Sequence, residues 1–273
     1  MFVACVGDNI LDVYTKTQTE VYGGNTLNVA VALHDLGVSV LYVGSVGDDK
    51  AGRELKRHLA SRGMRIDGIE TVRGKPTGYA VVHHDSNGER YFGEYDRGAS
   101  QLELSERQIG LIEEADLIHT SYSSALEDEI ANLAQLAKVS FDFDEHRGDP
   151  YARRLLPHIT HAFFSGSQIN QSETTETAIR AFSYGVKTVT VTHGAEGASH
   201  FRDGRVWFQP SAPVEPIDTL GAGDAFIAAT IAGICRDQPP DEYLALAARR
   251  SAQTCAVVGG TDMYLVNNSM RRR

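Results

Sequence analysis

Asp218-Thr219-Leu220-Gly221-Ala222-Gly223-Asp224 joins a glycine-rich turn to the start of a helix. Upstream, Pro210, Pro213 and Pro216 break any regular element. Downstream, Ala225-Phe226-Ile227-Ala228-Ala229-Thr230-Ile231-Ala232-Gly233-Ile234 is an uncharged run that reads as a buried helix. The Gly221-Ala222-Gly223 turn therefore falls at a helix N-terminus, where backbone N–H groups lack intrahelical partners and the macrodipole favours negative charge. A phosphate can bind there, and the glycines let it approach the backbone closely. Asp224 follows on the first helical turn. One reading makes it a capping carboxylate in an ordinary glycine turn. The other makes it a general base that takes a proton from a substrate hydroxyl while the turn stabilises charge on a transferring phosphoryl group. These seven residues alone leave both open.

The rest of the chain supplies an α/β frame for that helix. Strand-like runs at residues 2–7, 38–46, 116–119, 139–143, 161–164 and 187–192 alternate with helix-like runs at 26–36, 51–62, 126–137 and 174–184. The strands are short continuous apolar runs, as expected when helices cover both faces of a mostly parallel sheet. The expectation is a three-layer α/β/α fold, with residues 1–273 as a single domain because no repeat or low-complexity linker divides them. Two segments, about 13–22 and 77–95, are rich in Thr, Tyr and Val and stand outside the alternation. Asp85-Ser86-Asn87-Gly88 is a hairpin-turn signal within the second. They read as a small sheet of their own or as edge strands of the main one.

With 26 basic and 36 acidic residues the chain carries a formal charge of -10, no field for capturing nucleic acid or an anionic membrane. An anionic nucleotide would need backbone N–H groups and a divalent cation. Cys5, Cys235 and Cys255 are odd in number and lack CxxC spacing, so neither a disulfide framework nor a zinc site is indicated and a reducing cytoplasm fits. No charged-then-apolar leader opens the chain, and the uncharged run after Asp224 is well short of the ~20 residues a bilayer requires. The Arg271-Arg272-Arg273 end reads as a solvated tail.

The heptapeptide resembles the DTxGAGD signature of the PfkB/ribokinase family of carbohydrate kinases. That resemblance implies a ribokinase-like fold in which the two extra segments form a β lid over the sugar site, often shared between two subunits of a homodimer. It implies ATP and Mg2+, and leaves room for a monovalent cation such as K+. Asp224 takes the place of the family's base, and Gly221, Ala222 and Gly223 that of its anion hole. Gly23-Gly24-Asn25-Thr26-Leu27-Asn28 resembles the family's sugar-binding turn, which makes Gly23, Gly24, Asn25 and Asn28 substrate-binding candidates; Asn25 as a plain N-cap is the alternative. Gly7-Asp8-Asn9-Ile10-Leu11-Asp12 lies at the carboxyl end of the first strand, the edge where open α/β sheets hold ligands. Asp12 aligns there with the family's sugar-binding Asp, with Asp8 and Asn9 as second choices.

On the donor side, Thr192-His193-Gly194-Ala195-Glu196-Gly197 resembles a TxGxxG nucleotide loop, so Thr192, Gly194 and Gly197 join Thr219 as nucleotide-binding candidates, and His193 reads as a surface residue. Asn170-Gln171-Ser172-Glu173 resembles an NxxE motif, which implies Asn170 beside the nucleotide and Glu173 acting on magnesium through water; a capping box is the alternative. Gly44-Ser45-Val46-Gly47-Asp48-Asp49 resembles a structural signature, with Asp48 and Asp49 as caps of the following helix. No P-loop, protein-kinase motif set or dinucleotide glycine fingerprint occurs. A non-catalytic sugar-binding relative would lack the carboxylate at Asp224.

Phe141-Asp142-Phe143-Asp144-Glu145-His146-Arg147 resembles the FDxNxR turn of sugar-acid kinases, but Asp144 and His146 replace its Asn and Arg, which leaves open whether His146 or Arg147 stands in for the family's phosphate-binding arginine; a solvated acidic loop is the alternative. Together with Gly7-Asp8-Asn9, Asp116-Leu117-Ile118-His119 and Arg90-Tyr91-Phe92-Gly93-Glu94-Tyr95, the Phe141-Asp142-Phe143 segment is most similar to the family's fructoselysine-phosphorylating members. The carboxylates of Asp8, Asp12, Glu94, Asp142 and Asp144 exceed what neutral hydroxyls require and suit a substrate that carries an ammonium group. Ketohexose, ribose and 2-keto-3-deoxygluconate rank second.

Overall fold

The computed structural model describes residues 1–84, 90–148 and 150–263. In chain order the strands are β1 (Phe2–Val6), β2 (Ile10–Tyr14), β3 (Thr19–Gly23), β4 (Ser39–Gly47), β5 (Ile69–Val72), β6 (Tyr79–His84), β7 (Arg90–Asp96), β8 (Leu117–Ser121), β9 (Lys138–Asp142), β10 (His161–Ser165), β11 (Thr188–Thr192), β12 (Ala198–Arg202) and β13 (Arg205–Gln209). The helices are α1 (Asn25–Asp35), α2 (Lys50–Ser61), α3 (Glu106–Ile112), α4 (Ile130–Leu136), α5 (Tyr151–Leu155), α6 (Gln171–Ser183), α7 (Ala222–Cys235) and α8 (Pro240–Cys255). A nine-stranded sheet runs β13-β12-β11-β10-β9-β8-β1-β4-β5. It is parallel from β11 to β5 and antiparallel only at the β12 and β13 edge.

Alternation along the central strands divides the core in two, because successive side chains leave opposite faces. Ala4, Val6, Leu41 and Val43 pack on one face with Ile112, Ile130, Leu155 and Ala181 of α3 to α6. Val3, Cys5, Val40 and Tyr42 pack on the other with Leu27 and Leu33 of α1, Leu55 and Leu59 of α2, and Ile227 and Ile231 of α7. The three-layer α/β fold follows, and no helix among the described residues is long and apolar enough to cross a membrane.

The extra segments form a sheet of their own, ordered β3-β2-β6-β7, in which β2 pairs parallel with β6 and the outer pairs are antiparallel. It starts at Ile10, earlier than the composition suggested, so Asp12 belongs to this small sheet and not to the end of β1. The hairpin signal Asp85-Ser86-Asn87-Gly88 and the Arg271-Arg272-Arg273 tail lie outside the described residues. The helix expected over 126–137 begins only at Ile130. The β12–β13 hairpin carried an unused signal in Asp203-Gly204, whose φ values of 49° and 72° are the paired positive values of a type I′ turn. The signal for α8 was Pro240 at its first position with Asp241 and Glu242 in its first turn.

Asp49 connects the two sheets. It caps α2 by accepting the Gly52 N–H at 2.8 Å, and it accepts the Thr77 N–H and Thr77 hydroxyl at 2.7 Å each, just before β6. Partial burial opposes its charge, but the hydrogen bonds from Gly52 and Thr77 outweigh it and hold the carboxyl below its usual range. Asp49→Ala is expected to cost about 1 to 2 kcal/mol at pH 7. An acid depressed by folding stabilises above its unfolded pKa, so the cost should shrink as pH falls below about 4. Urea melts at pH 7 and pH 3 measure this, and an equal loss at both would assign the effect to packing.

Candidate active site

Gly221 caps α7 in the left-handed region, φ 77°, and a Cβ there would stand 2.4 Å from the Gly260 Cα. Only glycine fits. The first α-helical bond runs from the Ala225 N–H to the Gly221 carbonyl at 2.9 Å, which leaves the Gly223 and Asp224 N–H groups without an acceptor inside the helix. A Cβ on Gly223 would meet no atom within 4 Å, because the turn opens onto a cavity of about 1150 Å3. Asp218 holds the turn from behind by accepting the Leu220 N–H at 3.0 Å. It gave no sign in the sequence beyond its place in the heptapeptide.

Asp224 lies between two amides of α1. Its Oδ1 accepts from Asn25 Nδ2 at 2.8 Å and its Oδ2 from Asn28 Nδ2 at 2.7 Å. Asn25 Nδ2 also donates to Asp142 Oδ2, 2.7 Å away at the end of β9. Both amide oxygens, Asn25 Oδ1 and Asn28 Oδ1, are buried without a hydrogen-bond partner, which leaves each an unused acceptor. Asn25 is thus no cap. Asp8 does that work from the loop after β1, accepting the Asn25 N–H at 3.0 Å, the Thr26 N–H at 3.2 Å and the Ser124 hydroxyl at 3.0 Å.

Burial pushes Asp224 up to about 8; the Asn28 hydrogen bond opposes it, and the charges of Asp142, Asp8 and Asp144 add to it. Burial likewise pushes Asp142 up to about 6, against hydrogen bonds from the Asp144 N–H and Asn25 and with the charges of Asp144 and Asp8. Asp8, Asp12, Asp142, Asp144 and Asp224 line the cavity, and among the described residues no Lys, Arg or His does. The wall follows the carboxyl ends of β1, β9, β10 and β11, through Asp8, Asp142, Ser165 and Thr192.

Gly24, Asn25, Asn28, Thr192, Gly194, Gly197, Thr219, Gly221, Ala222 and Gly223 also line it. Gly23 stands behind Asp12, where a Cβ would be 2.5 Å from Asp12 Oδ2. Glu94 is not brought to the cavity. A register shift between Ala80 and Val82 inserts an extra residue in β7, which turns Phe92 and Tyr95 to the cavity together and leaves Glu94 bonded to the Tyr79 hydroxyl. Asn170 and Glu173 are likewise absent from the wall and form a capping box on α6: Asn170 Oδ1 accepts the Ser172 and Glu173 N–H groups, and Glu173 Oε2 accepts the Asn170 N–H at 2.9 Å. His193 is half-buried, with its ring nitrogens 3.2 Å from the Gly166 carbonyl and the Ser199 hydroxyl. Neither substitute for the family's arginine faces the cavity: His146 stacks on Tyr122 at 3.5 Å between ring centroids, and Arg147 donates to the Ser165 carbonyl. Phe92 and Tyr95, from the 90–95 stretch that carries part of the resemblance, line the wall, as do Ser121 and Tyr122, which the sequence did not single out.

Unpaired N–H groups at a helix N-terminus, with a carboxylate beside them, suit phosphoryl transfer to a hydroxyl. The chain matches the pfkB family carbohydrate kinase model over residues 3–266, and it belongs to that family. It is 41% identical over 263 residues to the fructosamine kinase FrlD of Bacillus subtilis, covering 95% of this chain and 92% of that protein. Against the fructoselysine 6-kinase of Escherichia coli it is 34% identical over 234 residues, covering 85% and 88%. The fold is shared with a putative ribokinase II from E. coli in complex with ATP and Mg+2 (TM-score 0.82, 21% identity, 96% and 94% covered) and with Arabidopsis thaliana ribokinase complexed with ribose and ATP (0.81, 22%, 94% and 93%).

Asp224→Asn should lower kcat by ~10²- to 10⁴-fold, since an amide accepts no proton. It should also stabilise the ligand-free protein. An acid raised by folding loses stability as pH rises from its unfolded pKa near 4 towards 8, and the amide escapes that loss. The melting temperatures of variant and wild type are therefore expected to converge near pH 4 and to separate by pH 8; a variant less stable at pH 8 would contradict the charge account. Gly223→Ala should melt like the wild type, because its methyl enters open space, and a phosphate that binds in that space would make it turn over poorly. Full activity would place the phosphate elsewhere.

Proposed function

We propose that the chain transfers the γ-phosphoryl group of ATP to the 6-hydroxyl of a fructosamine of the fructoselysine kind. One observation carries the substrate: five aspartates and no basic side chain among the described residues line the cavity. Neutral ketoses supply nothing to offset that charge. A secondary ammonium does, through charge-assisted hydrogen bonds to Asp142 or Asp144. The likeness to proteins named fructosamine kinase and fructoselysine 6-kinase supports the same substrate class.

In this reading Asp12, Asn25 and Asn28 hold the sugar hydroxyls. Asp224 receives the proton of the attacking hydroxyl, and the N–H groups of the Gly221–Gly223 turn meet the charge on the transferring group. The triphosphate lies along Thr192, Gly194, Gly197 and Thr219. Magnesium fits the donor set. The wall offers carboxylate and hydroxyl oxygens, the donors a hard ion prefers, and waters and substrate phosphates would complete its shell. Glu173 would reach it through water with Oε1, the oxygen its capping box leaves out. When bound, the ion neutralises charge on the phosphoryl oxygens, which no side-chain cation here does. The small sheet would serve as a lid, and its exposed Tyr91, at the β7 edge, as a contact with a second copy in a homodimer. A requirement for a monovalent cation such as K+ is read by running the same assay in potassium and in choline buffers.

Steady-state kinetics with fructoselysine and fructose side by side test the substrate, with ribose and 2-keto-3-deoxygluconate in the same panel. A desolvated charge pair of ~1.5 to 3 kcal/mol gives roughly 10- to 150-fold higher kcat/KM for fructoselysine. Equal or inverted values would remove the ammonium pocket while leaving the kinase in place. A chain that releases no ADP with any of the sugars would remove the kinase.

A further inference from the structure

Asp218 joins three segments that are far apart in the chain. Its Oδ1 accepts the Leu220 N–H within the anion turn at 3.0 Å. Its Oδ2 accepts the Gly259 N–H, after α8, at 3.0 Å, and the Tyr14 hydroxyl, on β2 of the small sheet, at 2.6 Å. Tyr14 is 1% exposed and packs with Val21 and Val82 against Leu220 and Val258. The segment after α8 backs the turn through the Gly221–Gly260 contact, and it is tied to β3 by the Tyr22 N–H to the Met263 carbonyl at 2.8 Å and by the Thr261 hydroxyl to the Tyr22 carbonyl at 2.5 Å.

The strand that carries Tyr14 also carries Asp12. Two residues apart, they share one face of β2, and Asp12 lines the cavity. A movement of β2 that follows the seating of a sugar on Asp12 therefore reaches the Tyr14 hydroxyl and, through one carboxylate, the turn that meets the phosphoryl group.

We propose that Tyr14 is a positioning residue for phosphoryl transfer: acting through Asp218, its hydroxyl couples the sugar-binding strand of the small sheet to the geometry of the Gly221–Gly223 turn. The proposal rests on the kinase reading with a sugar acceptor on Asp12, and not on which sugar that is.

Tyr14→Phe removes the hydroxyl and keeps the ring in its packing, while Asp218 keeps its two backbone donors. Loss of a hydrogen bond to a carboxylate is expected to lower kcat by about 10-fold or more. A second readout separates coupling from structure: calorimetric Kd values for a non-hydrolysable ATP analogue with Mg2+, measured with and without the sugar. The wild-type ratio of the two departs from one, and in Tyr14→Phe it collapses towards one. A variant with the wild-type ratio overturns the proposal even if kcat falls, because the tyrosine is then only packing; so does a wild-type ratio of one. The route through Asp218 has its own test. Tyr14→Phe added to Asp218→Asn should cost no more than Asp218→Asn alone, whereas additive losses would refute that route. Wild-type turnover with an unaffected Tyr14→Phe sinks only this proposal; no turnover by the wild type with any sugar sinks the kinase reading beneath it.

Discussion

A carboxylate proposed as the base of phosphoryl transfer must stand beside an incoming phosphate although both are negative, and the two amides of α1 hold Asp224 as that role would require. Asn25 and Asn28 each give one N–H to Asp224, one per oxygen, and hold the carboxylate in place without neutralising it. Everything near the cavity supports that arrangement. Asp8 caps α1 so that Asn25 is free of capping duty, and Gly24, with φ 107°, turns the chain into the helix where a Cβ would lie 2.8 Å from the Asn9 Cα. The packing of α1 on α7 through Leu27, Ile227 and Ile231 then sets amides and carboxylate at hydrogen-bonding distance.

Negative charge in the cavity is left for the ligands to settle. With no guanidinium, ammonium or imidazole on the described wall, a nucleotide finds positive partners only in backbone N–H groups and in what it brings with it. Burial raises Asp224 and Asp142 together, and the neighbouring acids add to it. A bound cation, whether a metal on the phosphates or an ammonium on the acceptor, relieves both. In this way the acid–base state of the centre is tied to its occupancy.

Several residues read one way in isolation and another in the fold. Asn170 and Glu173 complete a capping box, which engages Glu173 through Oε2. Glu94 sits in a strand whose neighbours reach the cavity, but a single inserted residue in β7 reverses which of them do. A motif with a strong local explanation predicts local structure well and function less well.

Local chemistry settled much before any contact was known. The Gly-Ala-Gly turn followed by an apolar run specifies a helix N-terminus with unpaired N–H groups, because helix ends leave such groups wherever they occur, and short apolar runs in alternation specify a parallel sheet between helices. Asp49 as the cap of α2 was legible for the same reason, as its partner Gly52 is three residues away. The partners of Asp224, Asp142 and Asp218 come from residues 199, 117 and 204 positions distant, and no periodicity encodes such pairs. Likewise Asp12 has the same sequence whether it ends β1 or opens a second sheet; pairing with β6, whose residues lie far along the chain, decided that. Hydrogen bonds between neighbours are fixed by backbone geometry and can be read in order, whereas the charge, burial and orientation of a side chain depend on which distant segments pack around it, and only the tertiary structure decides those.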